Sequence, residues 1–363
     1  MLSRAARVSR LAATAAERGG AGSAAAVRGM KLHYVSDAVP GIGRQPSEEG
    51  FIYRSRDGRA VRRIGTLARI RALAIPPAWT QVWICADPDG HLQAVGRDAR
   101  GRKQYRYHPR WREHRDETKF EHILAFGAVL PRIRRRVVHD LSLPGLPRQK
   151  VLAAVVRLME LSLARVGNPE YARQNHSFGL TTLLNRHVHI RGRQIELDFR
   201  AKHGIRHHSV VTDRKLAGIL KRCRDLPGSE LFQYVDEEGH RHAIDSADLN
   251  SYLREISGRD VTAKDFRTWA GTNLAILALV GTSGDEGPTK HGWLEIVRQV
   301  AKHLGNTPAI CRRCYIHPRI EQAYLARELL PLIPPRFAIH DDTNSDLVAI
   351  EHFTLSFLGQ SVA

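Results

Sequence analysis

Between residues 32 and 110 the apolar positions fall in short clusters broken by turn residues. Gly50-Phe-Ile-Tyr53 alternates and is followed by a turn at Asp57-Gly58. Trp83-Ile-Cys-Ala86 and Leu92-Gln-Ala-Val95 flank Asp87-Pro-Asp-Gly90, whose proline and glycine favour a chain reversal, so this stretch predicts a β-hairpin. Val61 to Leu73 predicts one short helix, stopped by Pro76-Pro77. The first unit is therefore expected to be small and mainly β.

From Asp116 onward the period lengthens from two to between three and four. Phe120, Ile123, Leu124 and Leu130 share one helical face, and Pro131 is expected to kink that helix. After a loop at Pro144-Gly145 and Pro147, Val151, Val155, Leu158, Met159 and Leu161 mark a helix from Lys150 to Arg165, closed by Gly167. His187–Ile190, Gln194–Phe199 and Ile205–Val211, joined by Arg191-Gly-Arg193 and Lys202-His203-Gly204, predict a three-stranded meander. Further helices are expected over 213–224, 246–257, 262–280, 289–304 and 318–330. The fold class is α+β: a β-rich domain over 31–112, then a larger, mainly α domain over 113–334 carrying a small antiparallel sheet. Residues 335–363, more acidic, are expected to form a peripheral C-terminal tail. Residues 1–30 hold ten Ala, five Arg and a single acid, Glu17. They read as a disordered basic tail or a mis-assigned start before Met30, the alternative being an organelle transit peptide.

Charge narrows the function. In 363 residues, 56 Lys and Arg against 37 Asp and Glu leave a formal charge of +19. Such an excess points to a polyanion, with nucleic acid first and an acidic membrane surface second. The longest apolar run, Leu274 to Val280, is far short of the roughly 20 residues a bilayer span needs, so no membrane segment is expected. Four cysteines are too few for a disulfide scaffold. Cys311-x-x-Cys314 lacks the second pair that a structural zinc site needs, so free thiols are the expected state.

The charge concentrates between Gly96 and Arg112, where seven Lys and Arg accompany one acid, Asp98, around Gln104-Tyr105-Arg106-Tyr107. Cations neutralise phosphates, while Gln and Tyr reach bases by hydrogen bonding and stacking. Arg102, Lys103, Gln104, Tyr105 and Tyr107 are therefore the candidate DNA contacts. A solvated edge strand kept from aggregating by its charges is the alternative.

Candidate chemistry is sparse. No phosphate-cradling loop of the GxxxxGK[ST] kind occurs, and no carboxylate cluster suits a pair of Mg²⁺ ions. His187-x-His189 and His207-His208 read as surface or phosphate-facing histidines, so no metal is expected. What remains is Tyr315 just before Pro318, and Arg267 in the first turns of a helix opened by Thr262 and Asp265. By itself that Tyr is a packing anchor.

Together these segments resemble a type IB DNA topoisomerase of the compact, poxvirus-like kind that also occurs in bacteria. The resemblance rests on Ile75-Pro-Pro-Ala-Trp79, Gly101–Tyr107, Arg165-Val-Gly-Asn168, Ser177–Thr182, Phe199–Gly204, Lys264-Asp-Phe-Arg267 and Leu304–Pro308 with Tyr315, in that order. It implies that Arg165, Lys202, Arg267, Asn306 and Tyr315 are catalytic, with Tyr315 forming a 3′-phosphotyrosyl link to one strand. Asn306 stands where viral members carry His. It retains a hydrogen-bond donor and loses the charge. The resemblance further implies relaxation of supercoiled duplex DNA without ATP, metal or other cofactor, by a monomer that clamps the duplex in the bacterial cytoplasm. Two rivals remain: a tyrosine recombinase, which typically has His-x-x-Arg where this chain has Lys264-Asp-Phe-Arg267, and a non-catalytic basic DNA-binding protein.

Overall fold

The structure is a computed structural model describing residues 31–48, 50–99, 101–280, 287–334 and 343–360. The expected basic tail over 1–30 lies outside the described residues. The chain divides into two compact units, residues 1–119 and 120–363.

In the first unit, strands β1 (Ile42–Ser47), β2 (Gly50–Arg54), β3 (Thr80–Ile84), β4 (Leu92–Arg97) and β5 (Lys103–Tyr107) form one antiparallel sheet in the order β2-β1-β3-β4-β5. A helix, α1 (Ile64–Ala72), lies between β2 and β3 in sequence. The β3–β4 hairpin forms around Asp87-Pro-Asp-Gly90 as expected, with Trp83 opposite Val95 and Ile84 opposite Ala94. Strand β1 is an addition: Ile-Gly-Arg-Gln-Pro-Ser holds one apolar side chain, so no alternation betrays it. Ile42, Ile70, Val82, Ile84 and Ala94 make the core. The Ile75–Trp79 run has a structural task within this unit. The Arg44 guanidinium donates to the carbonyls of Ile75, Pro76, Pro77 and Trp79, at 3.3, 3.1, 3.3 and 2.5 Å.

Helix α2 (Pro109–Asp140) crosses the boundary at Lys119/Phe120, which therefore falls C-terminal to the 112/113 boundary drawn from sequence. It continues as one element past Pro131, because Ile123, Phe126, Leu130, Ile133 and Val137 keep a single buried stripe on both sides of the proline. The remaining elements are α3 (Arg148–Ser162), α4 (Pro169–Asn175), strands β6 (Val188–Arg191), β7 (Gln194–Arg200) and β8 (Arg206–Thr212), α5 (Arg214–Asp225), hairpin strands β9 (Gln233–Val235) and β10 (Arg241–Ala243), then α6 (Ser246–Ser257), α7 (Ala263–Val280), α8 (Lys290–Leu304), α9 (Pro308–Cys314), α10 (Pro318–Leu325) and α11 (Thr343–Gly359). The meander pairs as β6-β7-β8, with Asp198 opposite His208 and Arg200 opposite Arg206.

Two apolar cores organise the second unit. The first gathers α2, α3, the meander, α5 and α6. The second gathers α8, α10 and the C-terminal half of α7. Helix α7 belongs to both: Phe266 and Trp269 pack in the first, Ala275, Ile276 and Leu279 in the second. The expected peripheral tail needs correcting for its described part. Helix α11 inserts Ile350, Phe357 and Leu358 into the second core, and Glu351 binds both Arg134 guanidinium nitrogens, at 2.6 and 2.8 Å. The acidic composition hid this, because its carboxylate is an internal partner rather than a solvated charge. No described helix is long and apolar enough to cross a membrane.

Candidate active site

Strand β5 alternates, so Lys103, Tyr105 and Tyr107 share one face and Gln104 and Arg106 the other. Tyr105 and Tyr107 stack with centroids 6.1 Å apart, and Tyr105 is 45 % exposed. On the opposite face Gln104 donates to Asp98 at 2.9 Å, and Arg102 pairs with the same carboxylate at 2.6 Å. Lys103 pairs with Asp37 at 2.7 Å. The five candidate DNA contacts therefore do not form one free surface. Tyr105 is open to solvent, whereas Tyr107 packs against Leu32 and Trp111, and Arg102, Lys103 and Gln104 have acidic partners.

The second cluster lies where the two cores of the second unit meet. Helix α3 ends at Leu163 in a left-handed conformation, φ 54°, rather than at Gly167. Helix α8 ends at Gly305, φ 57°, where the absent Cβ removes the steric cost. Each helix end leaves carbonyls without intrahelical partners. Arg267, on the second turn of α7 and 5 % exposed, supplies two of the missing donors. Its Nη1 binds the Leu163 carbonyl and its Nη2 the Leu304 carbonyl, the latter at 2.6 Å. One guanidinium thus ties the C-terminal ends of α3 and α8. Its Nε is buried with no hydrogen-bond partner.

Arg165, just past α3, binds the Gly305 carbonyl at 3.2 Å and the Asn306 side-chain oxygen. That leaves Asn306 Nδ2 buried without a partner. Tyr315 caps the C-terminal end of α9, and the Arg267 guanidinium lies over its ring, 5.3 Å from the centroid. Burial pushes the Arg267 pKa down and the neighbouring Arg165 adds to this, while Tyr315 opposes it. A buried donor set this rich in positive charge and free of carboxylates is suited to an anion whose oxygens accept from Nε, Nδ2 and the arginine forks. Arg165, Arg267, Asn306 and Tyr315 are therefore brought together.

Lys202 is not among them. It opens a one-turn 3₁₀ segment, Lys202–Gly204, between β7 and β8, and its side chain is exposed. The hairpin beneath it is held by Arg206, which donates to Asp198 at 2.6 Å.

Three further residues belong to the site: His207, which the sequence suggests only as a surface or phosphate-facing histidine, and Gly271 and Thr272, which carry no signal there. His207, on β8, has its pKa pushed down to about 4, first by burial and then by Arg267 and Arg165, so it faces the arginine pair as a neutral ring. Its Nε2 lies 3.1 Å from Ser209 Oγ. Gly271 lies against Tyr315: a Cβ there would sit 2.5 Å from the Tyr315 carbonyl oxygen. Thr272, fully buried, donates to that same oxygen at 3.4 Å and accepts from the His317 N–H at 3.2 Å. Gly271 lies four residues beyond Arg267 on α7, so the two share a helix face, and Thr272 follows on the adjoining side.

His187, expected at the surface or facing phosphate, is instead packed between Phe178 and Phe199. His187 is buried and its Nδ1 accepts from the Leu184 N–H at 3.1 Å. All four cysteines are free thiols. Elsewhere, on the β9–β10 hairpin, Asp236, Glu238 and His240 hold possible ligand atoms within 4.8 Å of one another.

Comparison with known proteins follows this geometry. The family described as eukaryotic DNA topoisomerase I, catalytic core, matches residues 108–324, and that described as bacterial DNA topoisomerase IB, N-terminal domain, matches residues 50–98. The chain is 33% identical over 288 residues to DNA topoisomerase 1B of Acanthamoeba polyphaga mimivirus, covering 77% of this chain and 85% of the viral protein. It is 24% identical over 246 residues to DNA topoisomerase I of Monkeypox virus, covering 66% and 74%. It is 27% identical over 232 residues to DNA topoisomerase 1 of Rabbit fibroma virus (strain Kasza), covering 61% and 68%. With both halves of the described architecture matched in order and the arginines gathered about Tyr315, the chain belongs to the type IB DNA topoisomerase family.

Proposed function

We propose that the protein relaxes supercoiled duplex DNA by reversible cleavage of one strand through Tyr315. The observation that carries this reading is the convergence of Arg165, Arg267 and Asn306 around the Tyr315 ring, at a joint braced by helix ends.

The Tyr315 hydroxyl loses its proton to solvent as its oxygen attacks a backbone phosphorus. The bond to the 5′-oxygen breaks as the 3′-phosphotyrosyl bond forms, so one phosphate ester replaces another and no ATP is needed to reseal. Negative charge grows on the non-bridging oxygens. The permanent cations Arg165 and Arg267, with the Asn306 N–H, stabilise it in a site where their desolvation has already been met by folding. The departing 5′-oxygen takes a proton from Lys202. Lysine suits that task because its proton is transferable, whereas a guanidinium holds its own. The 5′-hydroxyl end then turns about the intact strand and attacks the phosphotyrosine in reverse. Exposed Tyr105, with half-buried Tyr107 stacked behind it, reaches the duplex from the first unit. A bacterial setting at the nucleoid is supported by the bacterial family match over residues 50–98.

The test is relaxation of negatively supercoiled plasmid in EDTA without ATP. Wild type should relax it, and Tyr315→Phe should bind without relaxing. Tight binding with no relaxation by wild type would instead make this a non-catalytic DNA-binding protein, and a need for two specific sites would make it a recombinase.

A further inference from the structure

At the far end of α3 from Arg165 the surface opens into a cavity of about 620 Å³, lined by Leu141, Ser142, Lys150, Arg214, Lys215, Gly218, Ile219 and Arg222. From Lys150 to Ser162 the helix rises about 18 Å at 1.5 Å per residue, so this cavity is separate from the tyrosine site. Four of its lining residues are cations and none is a carboxylate. Arg214, Lys215 and Arg222 project from one side of α5 and are exposed.

Lys150 is the unusual member. It is 4 % exposed, and its Nζ donates to the Leu143 carbonyl. A buried ammonium is normally matched by a carboxylate. Here burial lowers its pKa most, Arg222 and Lys215 lower it further by repulsion, and only Cys223 opposes them. Lys215 is itself turned toward the cavity rim, donating to Ser142 Oγ at 2.6 Å. Gly218 lies in the middle of the α5 wall, and a Cβ there would meet nothing within 4 Å. The cavity therefore combines converging donors, an uncompensated buried cation and an open wall.

We propose that this cavity is a binding site for a compact inorganic oligophosphate anion. Among the described residues that line the cavity none is acidic, and phosphate oxygens supply the negative charge that Lys150, Arg214, Lys215 and Arg222 lack there. A compact ligand is favoured over the DNA backbone because Lys150 is 4 % exposed while Arg214, Lys215 and Arg222 are exposed around it, so a small anion can meet all four. Phosphates on a duplex meet only the exposed rim of α5.

The experiment is isothermal titration of the full chain with inorganic triphosphate at about 0.1 M salt, where screening of exposed charges is moderate. Wild type should bind one triphosphate saturably. Arg222→Gln should weaken binding at least tenfold. Gly218→Leu, whose Cβ meets nothing within 4 Å and whose side chain adds apolar bulk to the cavity wall, should weaken it at least tenfold. Both variants should keep wild-type thermal stability and plasmid relaxation, since neither residue belongs to the tyrosine site. Absence of saturable binding in wild type, or equal affinity in all three proteins, overturns the proposal. It is also overturned if triphosphate does not bind while Arg222→Gln weakens duplex DNA tenfold, for the cavity would then be part of the DNA track.

Discussion

Arg165 donates to both the side-chain oxygen of Asn306 and the backbone carbonyl of Gly305, the residue immediately before it. This fixes the orientation of the Asn306 amide: the oxygen is occupied and Nδ2 is left buried with no partner. A buried amide N–H without an acceptor is costly in the free protein and becomes useful when a phosphate oxygen arrives.

Asn306→Ala should therefore lower the single-turnover cleavage rate roughly 100-fold, the usual cost of one oxyanion donor, with DNA affinity nearly unchanged. Asn306→Asp should be slower still, because it keeps the Arg165 contact but replaces the donor by a second anion facing the phosphate. Equal rates for Ala and Asp would mean that Nδ2 does not face the reacting oxygen.

Lys202 lies at an exposed turn between β7 and β8. If it protonates the leaving oxygen, Lys202→Ala should slow cleavage of an ordinary phosphodiester on the order of 10²–10⁴-fold. A substrate with a sulfur 5′-leaving group needs no proton and should be cleaved by the variant at nearly the wild-type rate. Equal slowing of both substrates would assign Lys202 to binding instead.

Gly271→Ala tests how closely α7 sets the tyrosine. The added Cβ would sit 2.5 Å from a backbone oxygen, so the Tyr315 segment has to move. The expected cost is about 1–3 kcal/mol in stability, by the usual price of overpacking. Cleavage should also fall roughly 100-fold from misplacement of the nucleophile. Urea unfolding and single-turnover cleavage measure the two effects, and an unaffected rate in the folded variant would show that α7 does not position Tyr315.

The pH dependence of stability follows from His207. Its pKa is depressed to about 4 in the folded protein from 6.5. The unfolded chain therefore takes up this proton first as pH falls. The stabilisation is complete above about pH 6.5, is lost progressively toward pH 4, and changes little below that. His91 and His187, depressed chiefly by burial, act in the same direction. His207→Gln should flatten the slope of unfolding free energy between about pH 6.5 and 4 in urea titrations. An unchanged slope would place His207 in solvent.

Much of the architecture is legible without coordinates. The meander is announced by Arg191-Gly-Arg193 and Lys202-His203-Gly204 between alternating segments, and α6, α7 and α8 begin and end within a residue or two of where their apolar period does. Strand β1 is invisible because its pairing with β2 is a backbone matter, requiring nothing of Gly43, Arg44 or Gln45. Helix α11 was misjudged because composition does not reveal that Glu351 meets Arg134, more than 200 positions earlier in the chain.

By itself the sequence determined the local elements and the excess charge, since both depend on residue types at fixed short spacings. Through ordered motifs it also pointed to the family and to which few of the 56 basic residues matter. Only the tertiary structure decided what those residues do for one another. Arg267 ties the ends of α3 and α8, Arg165 orients Asn306, and Gly271 lets Tyr315 approach α7. These relations join segments roughly 40 to 140 positions apart, and no periodicity along the chain encodes them. They arise because helix ends leave carbonyls that must be satisfied, and the folded core determines which buried donor is near enough to do so.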